Sequence, residues 1–428
     1  MKRHLIGIGG VGMSALATAL VRLGDEVTGA DRTLGTPNIK FLESLGVKVF
    51  PDDGSGVDMP TDEVIVSTAI EETNAGLIKA KELGIPVTHR AKALSRTLKN
   101  YKLVAVVGTC GKSTVTAMLG HVLAECGLDP MCVNGANVPG WEGAVRFGKG
   151  EYAVAEVDES DKSLVAFKPY AAIVTNASAD HYSKEEMDEV FDAFVRDCEG
   201  PVIDGRSVCP RISRIDTDEK EEWVTPLPGK HNLQNAALAA KMALALGCRA
   251  DEVKRALASF RGVERRLQLI SPAIEQSNNP NNRAIEQSPA VYDDYAHNPE
   301  KLKAMWTTLA EKHPEGICVI WRPHGYAPLR KMMDALAAMF AETVRPCDKL
   351  LLLPVYDAGG TTDRSVSSSD LLEKVKVRGE GEQRIELVSD LDAAYDWCAA
   401  HRGDFAAFVT CGARDPGLPV LAKRLSGL

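Results

Sequence analysis

Val106-Val107-Gly108-Thr109-Cys110-Gly111-Lys112-Ser113-Thr114 runs from an apolar β-type segment, Leu103 to Val107, into the amphipathic pattern Val115, Met118, Leu119, Val122 and Leu123. The order is strand, glycine-bearing loop, helix. Such a loop turns successive backbone N–H groups and a helix N-terminus toward one point, where hydrogen bonds and the helix dipole both favour anionic oxygens. Lys112 is placed to reach terminal phosphates, and Ser113 or Thr114 to hold magnesium. Val106 stands where the G-x-x-x-x-G-K-[ST] pattern has its first glycine, so the loop is a shortened G-T-x-G-K-S variant.

Outward from this loop, the chain alternates short apolar strands with helical stretches. Before it come Leu5 to Ile8, Glu26 to Gly29, Val47 to Val49, Val64 to Val66 and Pro86 to Thr88. After it come Tyr152 to Glu156 and Ala171 to Thr175, a helical stretch from Asn235 to Leu246, and then Gly316 to Trp321, Lys349 to Leu353, Ile385 to Leu387 and Ala406 to Thr410. This is the rhythm of parallel, helix-covered sheets. With 428 residues, the chain exceeds what one core serves. The expected fold is α/β, with three consecutive α/β domains: a Rossmann-like unit over 1–101, a central phosphate-loop unit over 102–266 and a Rossmann-like unit over 267–428. Between the last two, Ala273-Ile274-Glu275-Gln276-Ser277 recurs as Ala284-Ile285-Glu286-Gln287-Ser288 around an Asn/Pro core. Turn chemistry accounts for that stretch as a surface loop.

Composition narrows the function classes. A net charge of -9 with no Lys/Arg run argues against a nucleic-acid partner, whose binding rests on neutralising phosphates. Ten cysteines without a C-x-x-C pair fit reduced thiols in a cytoplasmic enzyme better than a disulfide framework or a zinc site. Lys2-Arg3 followed by Leu5 to Val21 superficially resembles a secretory signal, but Gly7, Gly9, Gly10 and Gly12 interrupt it and a βαβ pattern continues beyond. No run is long and apolar enough to insert in a membrane.

Four further motifs carry chemistry. Gly7-Ile8-Gly9-Gly10-Val11-Gly12 is a G-x-G-x-x-G turn after a strand, with Asp31 ending the next strand, the arrangement of a dinucleotide or nucleotide-diphosphate site. Tight helix packing alone also explains such glycines. Glu156-Val157-Asp158-Glu159-Ser160-Asp161 lies at a strand end, where a carboxylate suits Mg²⁺ beside phosphates; a solvated acidic loop is the plainer account of Asp161. His181 follows another strand and the turn Asn176 to Asp180. Gly229-Lys230-His231-Asn232-Leu233-Gln234-Asn235 opens a helix with two amides on one side of its first turn.

Together these pieces resemble the Mur ligases, ATP-dependent amide-forming enzymes of peptidoglycan synthesis, and their relatives the folylpolyglutamate synthases. Gly108 to Thr114 is similar to the family's phosphate loop, Glu156 to its magnesium glutamate, and Thr175-Asn176 to Asp180-His181 to its T-N-x-x-x-D-H segment, whose histidine serves a second magnesium. Gly229 to Asn235 resembles the G-x-H-N-x-x-N helix start, Arg266 the arginine closing the central domain, and Asp294-Tyr295-Ala296-His297-Asn298-Pro299 the D-Y-x-H-x-P signature opening the third. Ile6 to Ser14, Gly29-Ala30-Asp31, Val66-Ser67-Thr68-Ala69-Ile70, Asp158 to Asp161 and Arg322-Pro323-His324-Gly325-Tyr326 resemble the branch that joins L-alanine to UDP-N-acetylmuramate.

The resemblance implies ATP and Mg²⁺, a UDP-N-acetylmuramate-like acid and an amino acid. Lys112, Glu156 and His181 would serve catalysis, with Ser113, Thr114, Glu156 and His181 at the metal. ATP would lie on Gly108, Thr109, Gly111, Lys112, Ser113, Thr114, Asn232, Asn235, Arg266 and Asp294. The other substrates would meet Gly9, Gly10, Gly12, Asp31, Ser67, His297 and His324. Cys110 stands where this branch usually has histidine, Gly325 where it has arginine and Gly360 where it has glutamate, which bears on substrate identity more than on ATP. A ligase taking a different acid or amine, a nicotinamide-dependent dehydrogenase using Gly7 to Gly12, and a catalytically silent nucleotide binder are the competing readings.

Overall fold

The computed structural model describes residues 1–58, 60–158, 163–177, 184–206, 223–270, 288–357, 359, 362–377 and 384–428. Its chain divides into two compact units, one formed by 1–227 with 231–263 and the other by 228–230 with 264–428. Among the described residues there are three sheets, two in the first unit and one in the second.

The first sheet is built from β1 (Lys2–Ile6), β2 (Glu26–Asp31), β3 (Lys48–Pro51), β4 (Glu63–Val66) and β5 (Val87–His89), interleaved with α1 (Val11–Arg22), α2 (Pro37–Ser44), α3 (Ala75–Glu82) and α4 (Arg90–Thr97). Strand order is β3-β2-β1-β4-β5, all parallel. Order therefore reverses between β1 and β4, and that crevice is where open α/β sheets receive ligands. Thr36 caps α2 ahead of Pro37, and Asn74 caps α3, which ends two crossovers cleanly.

The second sheet holds β6 (Lys102–Val107), β7 (Met131–Val133), β8 (Val145–Arg146), β9 (Tyr152–Glu156), β10 (Ala171–Val174) and β11 (Val202–Asp204), with α5 (Lys112–Glu125), α6 (Lys184–Val195), α7 (Lys230–Ala245) and α8 (Ala250–Ser259). The order is β11-β10-β6-β9-β7-β8, parallel except for the β7–β8 pair. Leu103 to Val107 are all buried, as a central parallel strand covered on both faces must be. α7 begins at Lys230, five residues before the helical stretch read from apolar spacing, because its first turn is polar. The short strands β7, β8 and β11 carry too few residues to show a period.

Both sheets of the first unit share a core. Leu5, Leu16, Leu42 and Leu94 join Met131, Val145, Ala153 and Phe191 in one buried cluster. Arg22 adds a two-pronged ion pair to Glu142 across the same junction, with Nε 2.7 Å from Oε2.

The second unit contains β12 (Gln268–Leu269), β13 (Ala290–Asp294), β14 (Ile317–Trp321), β15 (Lys349–Leu352), β16 (Ile385–Leu387) and β17 (Ala407–Cys411), with α9 (Pro299–Lys312), α10 (Tyr326–Thr343), α11 (Ser368–Val377), α12 (Leu391–Ala400) and α13 (Gly417–Leu425). The order β12-β13-β17-β14-β15-β16 is parallel save for β12. Trp306, Trp321 and Phe340 pack edge to face in its core.

Candidate functional site

Strand β6 lies between β9 and β10, so its loop, the end of β9 and the end of β10 converge at one edge. Gly108 and Gly111 have φ of +126° and +85°, values that L side chains rarely adopt. A side chain on Gly108 would strike Thr175 and Asn176, and one on Gly111 would meet Asn235 Oδ1. Both glycines are required by the shape of the loop.

Asn176 clips that loop to β10. Its Oδ1 accepts the Cys110 N–H at 2.9 Å, its Nδ2 donates to the Cys110 carbonyl at 2.9 Å, and its own carbonyl accepts the Thr109 N–H at 3.3 Å. Thr175 Oγ1 donates to the same Cys110 carbonyl at 2.6 Å. The loop is thus held through the backbone of Cys110. Lys112 Nζ donates to the Gly108 carbonyl at 2.6 Å, folding its charge over the loop mouth.

Two helix N-termini meet here. Ser113 and Thr114 are buried in the first turn of α5. Asn232 and Asn235, 4% and 7% exposed, sit in the first turns of α7, with Asn235 Nδ2 donating to Asn232 Oδ1 at 3.3 Å. Glu156 ends β9 only half-buried, and its Oε2 accepts the Gly135 N–H at 2.8 Å.

The donors suit a hard cation. Among the described residues no group of three or more His, Cys, Asp or Glu gathers to hold a metal. Hydroxyls of Ser113 and Thr114 with one carboxylate from Glu156 are the sparse oxygen set that Mg²⁺ uses when phosphates and waters complete its shell. His181, Asp180, Glu159 to Asp161, Gly360 and the repeat up to Gln287 lie outside the described residues.

In the first sheet, Asp31 Oδ2 accepts the Gly9 N–H at 2.8 Å and Oδ1 the Thr33 N–H at 3.0 Å. The Gly10 N–H donates to Gly7 O at 3.2 Å. Gly9, Gly10 and Asp31 therefore shape the turn, while the open donors are the N–H groups of the first turn of α1, Gly12 among them. Ser67 follows β4 on the other side of the crevice.

Within the second unit, Asp294 spends both oxygens on backbone: Oδ1 on Ala296 N–H and Oδ2 on Leu267 N–H, each at 2.7 Å. The Tyr295 ring takes the Arg265 and Arg266 guanidinium groups at 5.2 and 5.1 Å from its centroid. His297 meets His324 edge to face at 4.8 Å, and its Nδ1 donates to Tyr295 O at 2.9 Å. Burial, with Lys301 adding repulsion, lowers His297 to about 3; burial and then Arg414 lower His324 to about 4. Both rings are neutral near neutral pH.

Arg265 was missed in the sequence. It pairs with Asp293 at 3.1 Å and donates to the carbonyls of Gly412 and Ala413, tying β12 to the end of β17. Asp293, pushed up to about 6 chiefly by burial, also accepts from Thr410 Oγ1 at 2.7 Å. The paired Arg265-Arg266 was the available signal.

Comparison with known proteins agrees across the chain. Residues 2–102 match the model of the Mur ligase family, catalytic domain, and 282–414 that of the Mur ligase, glutamate ligase domain. The UDP-N-acetylmuramate–L-alanine ligase of Rhizobium etli is 30% identical over 99% of this chain and 97% of its own. That of Rubrobacter xylanophilus is 31% identical over 97% of each. The crystal structure of the UDP-N-acetylmuramate-alanine ligase of Thermotoga maritima superposes with a TM-score of 0.81 at 25% identity, covering 100% of this chain and 98% of that one.

Proposed function

The chain belongs to the Mur ligase family of ATP-dependent ligases in peptidoglycan synthesis, and from that premise we propose that it joins L-alanine or a similar amino acid to UDP-N-acetylmuramate. A substrate carboxylate attacks the γ-phosphate of ATP to give an acyl phosphate and ADP, and the amine then displaces phosphate to form the amide. The three sheets serve as a UDP-sugar domain over 1–101, an ATP domain over 102–266 and a ligase domain over 267–428.

The obstacle in the first step is repulsion between a carboxylate and a triphosphate, so fixed positive charge and N–H dipoles carry most of the catalysis. The observation that supports this reading best is the clipped loop, with the N-termini of α5 and α7 converging on it. Lys112, released from Gly108 O, neutralises the β/γ oxygens. Ser113, Thr114 and Glu156, with His181, would hold Mg²⁺, which when bound withdraws charge from the phosphate oxygens. Asn232 and Asn235 hold the nucleotide. Arg266 and Asp294 are assigned to ATP, Gly12 and Ser67 to the UDP-sugar, and His297 and His324 to substrate contacts in the third domain.

Phosphate release with ATP, UDP-N-acetylmuramate and L-alanine tests the reading. Release that needs all three supports it; equal release without the acid or the amine overturns it. Cys110 and Gly325 favour one second reading, a Mur-type ligase with another amine or acid. Turnover of the alternative pair alone, in substrate profiling, would establish it.

A further inference from the structure

Two buried oxygens near the phosphate loop have no hydrogen-bond partner among the described residues: Asn134 Oδ1 and Thr116 Oγ1. Their residues are 2% and 0% exposed. Thr116 lies on α5, three residues past Ser113, and Asn134 directly follows β7. A helical threonine commonly gives its hydroxyl to the carbonyl four residues back, as Thr18 does to Ser14 O at 2.9 Å and Thr97 to Ala93 O at 2.8 Å. Thr116 makes no such bond. The Asn134 amide is oriented by its nitrogen, which donates to Ala136 O at 3.1 Å and leaves the oxygen on the other side.

The fold brings both residues to the Glu156 end of the second sheet. A Cβ on Gly120 would stand 2.6 Å from Cys132 Sγ, so this flank of α5 lies against β7. Thr116 is one turn nearer the start of α5 than Gly120, and Asn134 is two residues beyond Cys132 on the same face of its strand. β6, β9 and β7 run parallel and α5 returns from the end of β6, so both steps lead to the phosphate-loop edge. There the register pairs Val133 with Ala155, which sets Asn134 beside Glu156. The Gly135 N–H donates to Glu156 Oε2 at 2.8 Å, and a side chain on Gly135 would strike that carboxylate.

A buried oxygen without a donor destabilises the fold, and a protein that keeps one has a ligand or water to match it. A hydrated Mg²⁺ is such a match. It takes few protein oxygens, keeps several waters, and makes each bound water a strong donor. Thr116 lies about 4.5 Å deeper along α5 than Ser113. That is beyond the roughly 2.1 Å of a direct Mg²⁺ ligand but within reach of a water bound to it.

We propose that Asn134 and Thr116 are positioning residues for the Mg²⁺ of the reading above, their oxygens accepting from its bound waters and steadying it against Glu156 without ligating it. This rests on the magnesium assignment to Glu156 and the α5 hydroxyls.

The test uses the full chain with ADP, Mn²⁺ followed by electron paramagnetic resonance as the metal probe, and thermal unfolding without metal. Thr116→Val and Asn134→Leu keep the side-chain shape and remove the acceptor. Each is expected to weaken Mn²⁺ about 10- to 100-fold, the range for deleting a group that hydrogen-bonds a metal ligand. The metal-free thermal midpoint should be no lower than that of the unsubstituted chain, because an unmatched buried oxygen is gone. Thr116→Ser keeps the hydroxyl and should bind Mn²⁺ like the unsubstituted chain. The Mg²⁺ concentration for half-maximal phosphate release should rise by the same factor as Mn²⁺ affinity falls, with kcat recovered at high Mg²⁺. Mn²⁺ affinity within twofold of the unsubstituted chain in both Thr116→Val and Asn134→Leu overturns the inference and leaves the magnesium assignment standing. Mn²⁺ affinity unchanged by Glu156→Gln overturns the magnesium assignment itself. A metal-free midpoint lowered in both variants, with Mn²⁺ weakened no more than ADP alone by calorimetry, assigns the pair to a structural water and overturns the inference.

Discussion

Replacing Asn176 by alanine should cripple ATP use without touching either organic substrate. The side chain supplies two hydrogen bonds to the backbone of Cys110, both at 2.9 Å. The Cys110 carbonyl also accepts from Thr175 Oγ1 at 2.6 Å. At about 1 kcal/mol per neutral hydrogen bond, the clip contributes about 2 kcal/mol to the phosphate-binding shape of the loop. If that is lost as population of competent loop, the apparent affinity for ATP falls by up to roughly 30-fold. Thr175→Val, losing one bond to the shared carbonyl, should cost about 1 kcal/mol, roughly fivefold. The double variant should fall short of the product, because both side chains serve the same carbonyl. Initial rates of phosphate release against ATP, with acid and amine saturating, measure the effect directly. A kcat/KM for ATP within twofold of the parent, or a change confined to the KM of the acid, would refute the reasoning. Cys110→Ala is the control: it deletes a side chain but none of the three bonds, so its effect on ATP should be much smaller.

Lys112→Ala should abolish turnover while leaving the thermal midpoint close to that of the parent chain; near-normal turnover would remove the role assigned to the loop. Gly111→Ala forces a side chain into φ of +85° and toward Asn235 Oδ1 at 2.7 Å. The conformation alone costs about 1–2 kcal/mol, so ATP binding measured by calorimetry should weaken by about fivefold or more. Acid should destabilise the second unit. His297 and His324, lowered to about 3 and about 4, stay neutral in the fold, while unfolded histidine protonates near 6.5. The unfolded chain then binds more protons below pH 6.5, and stability falls as pH drops from there toward 4. Asp293 works oppositely: raised to about 6, its contribution is complete below pH 3.8 and is lost as pH rises through 6. Two groups outweigh one. Urea midpoints followed by fluorescence of buried Trp306 and Trp321 should drop across that window, and His297→Gln with His324→Gln should flatten the drop.

The parts legible in the sequence share a physical origin. A central parallel strand must be apolar throughout, so β6, β9 and β14 announce themselves as runs such as Leu103 to Val107. A loop with left-handed φ must carry glycine, so Gly108 and Gly111 mark the site from composition alone. The short strands β7, β8, β11 and β12, of two or three residues each, offer too few positions to show a pattern and left no trace. The shared core of the first two sheets was equally silent, since Leu16 or Val145 reads as core whichever sheet it covers.

The motif residues differ in a way their letters conceal. Asp31, Asn176 and Asp294 each stand at or just after a strand end and each spends its side chain on backbone N–H groups of the loops beside it: Gly9 and Thr33, Cys110, Leu267 and Ala296. On the proposed reading, the ligand-facing groups in those loops would be backbone donors and lysine or arginine, held in place by these short polar side chains. An anchor and a ligand lose activity alike when mutated, so activity cannot separate them. Stability can. An aspartate that accepts two N–H groups is not replaced by asparagine, whose amide offers one acceptor and turns a donor toward the second N–H; a buried N–H left unmatched costs about 1–3 kcal/mol. Asp294→Asn should therefore lower the urea midpoint of the second unit along with ATP affinity, and Asp31→Asn should destabilise the first unit, whereas Lys112→Ala should lower activity alone. An Asp294→Asn variant with an unshifted midpoint and impaired ATP binding would show instead that its charge acts on the nucleotide directly.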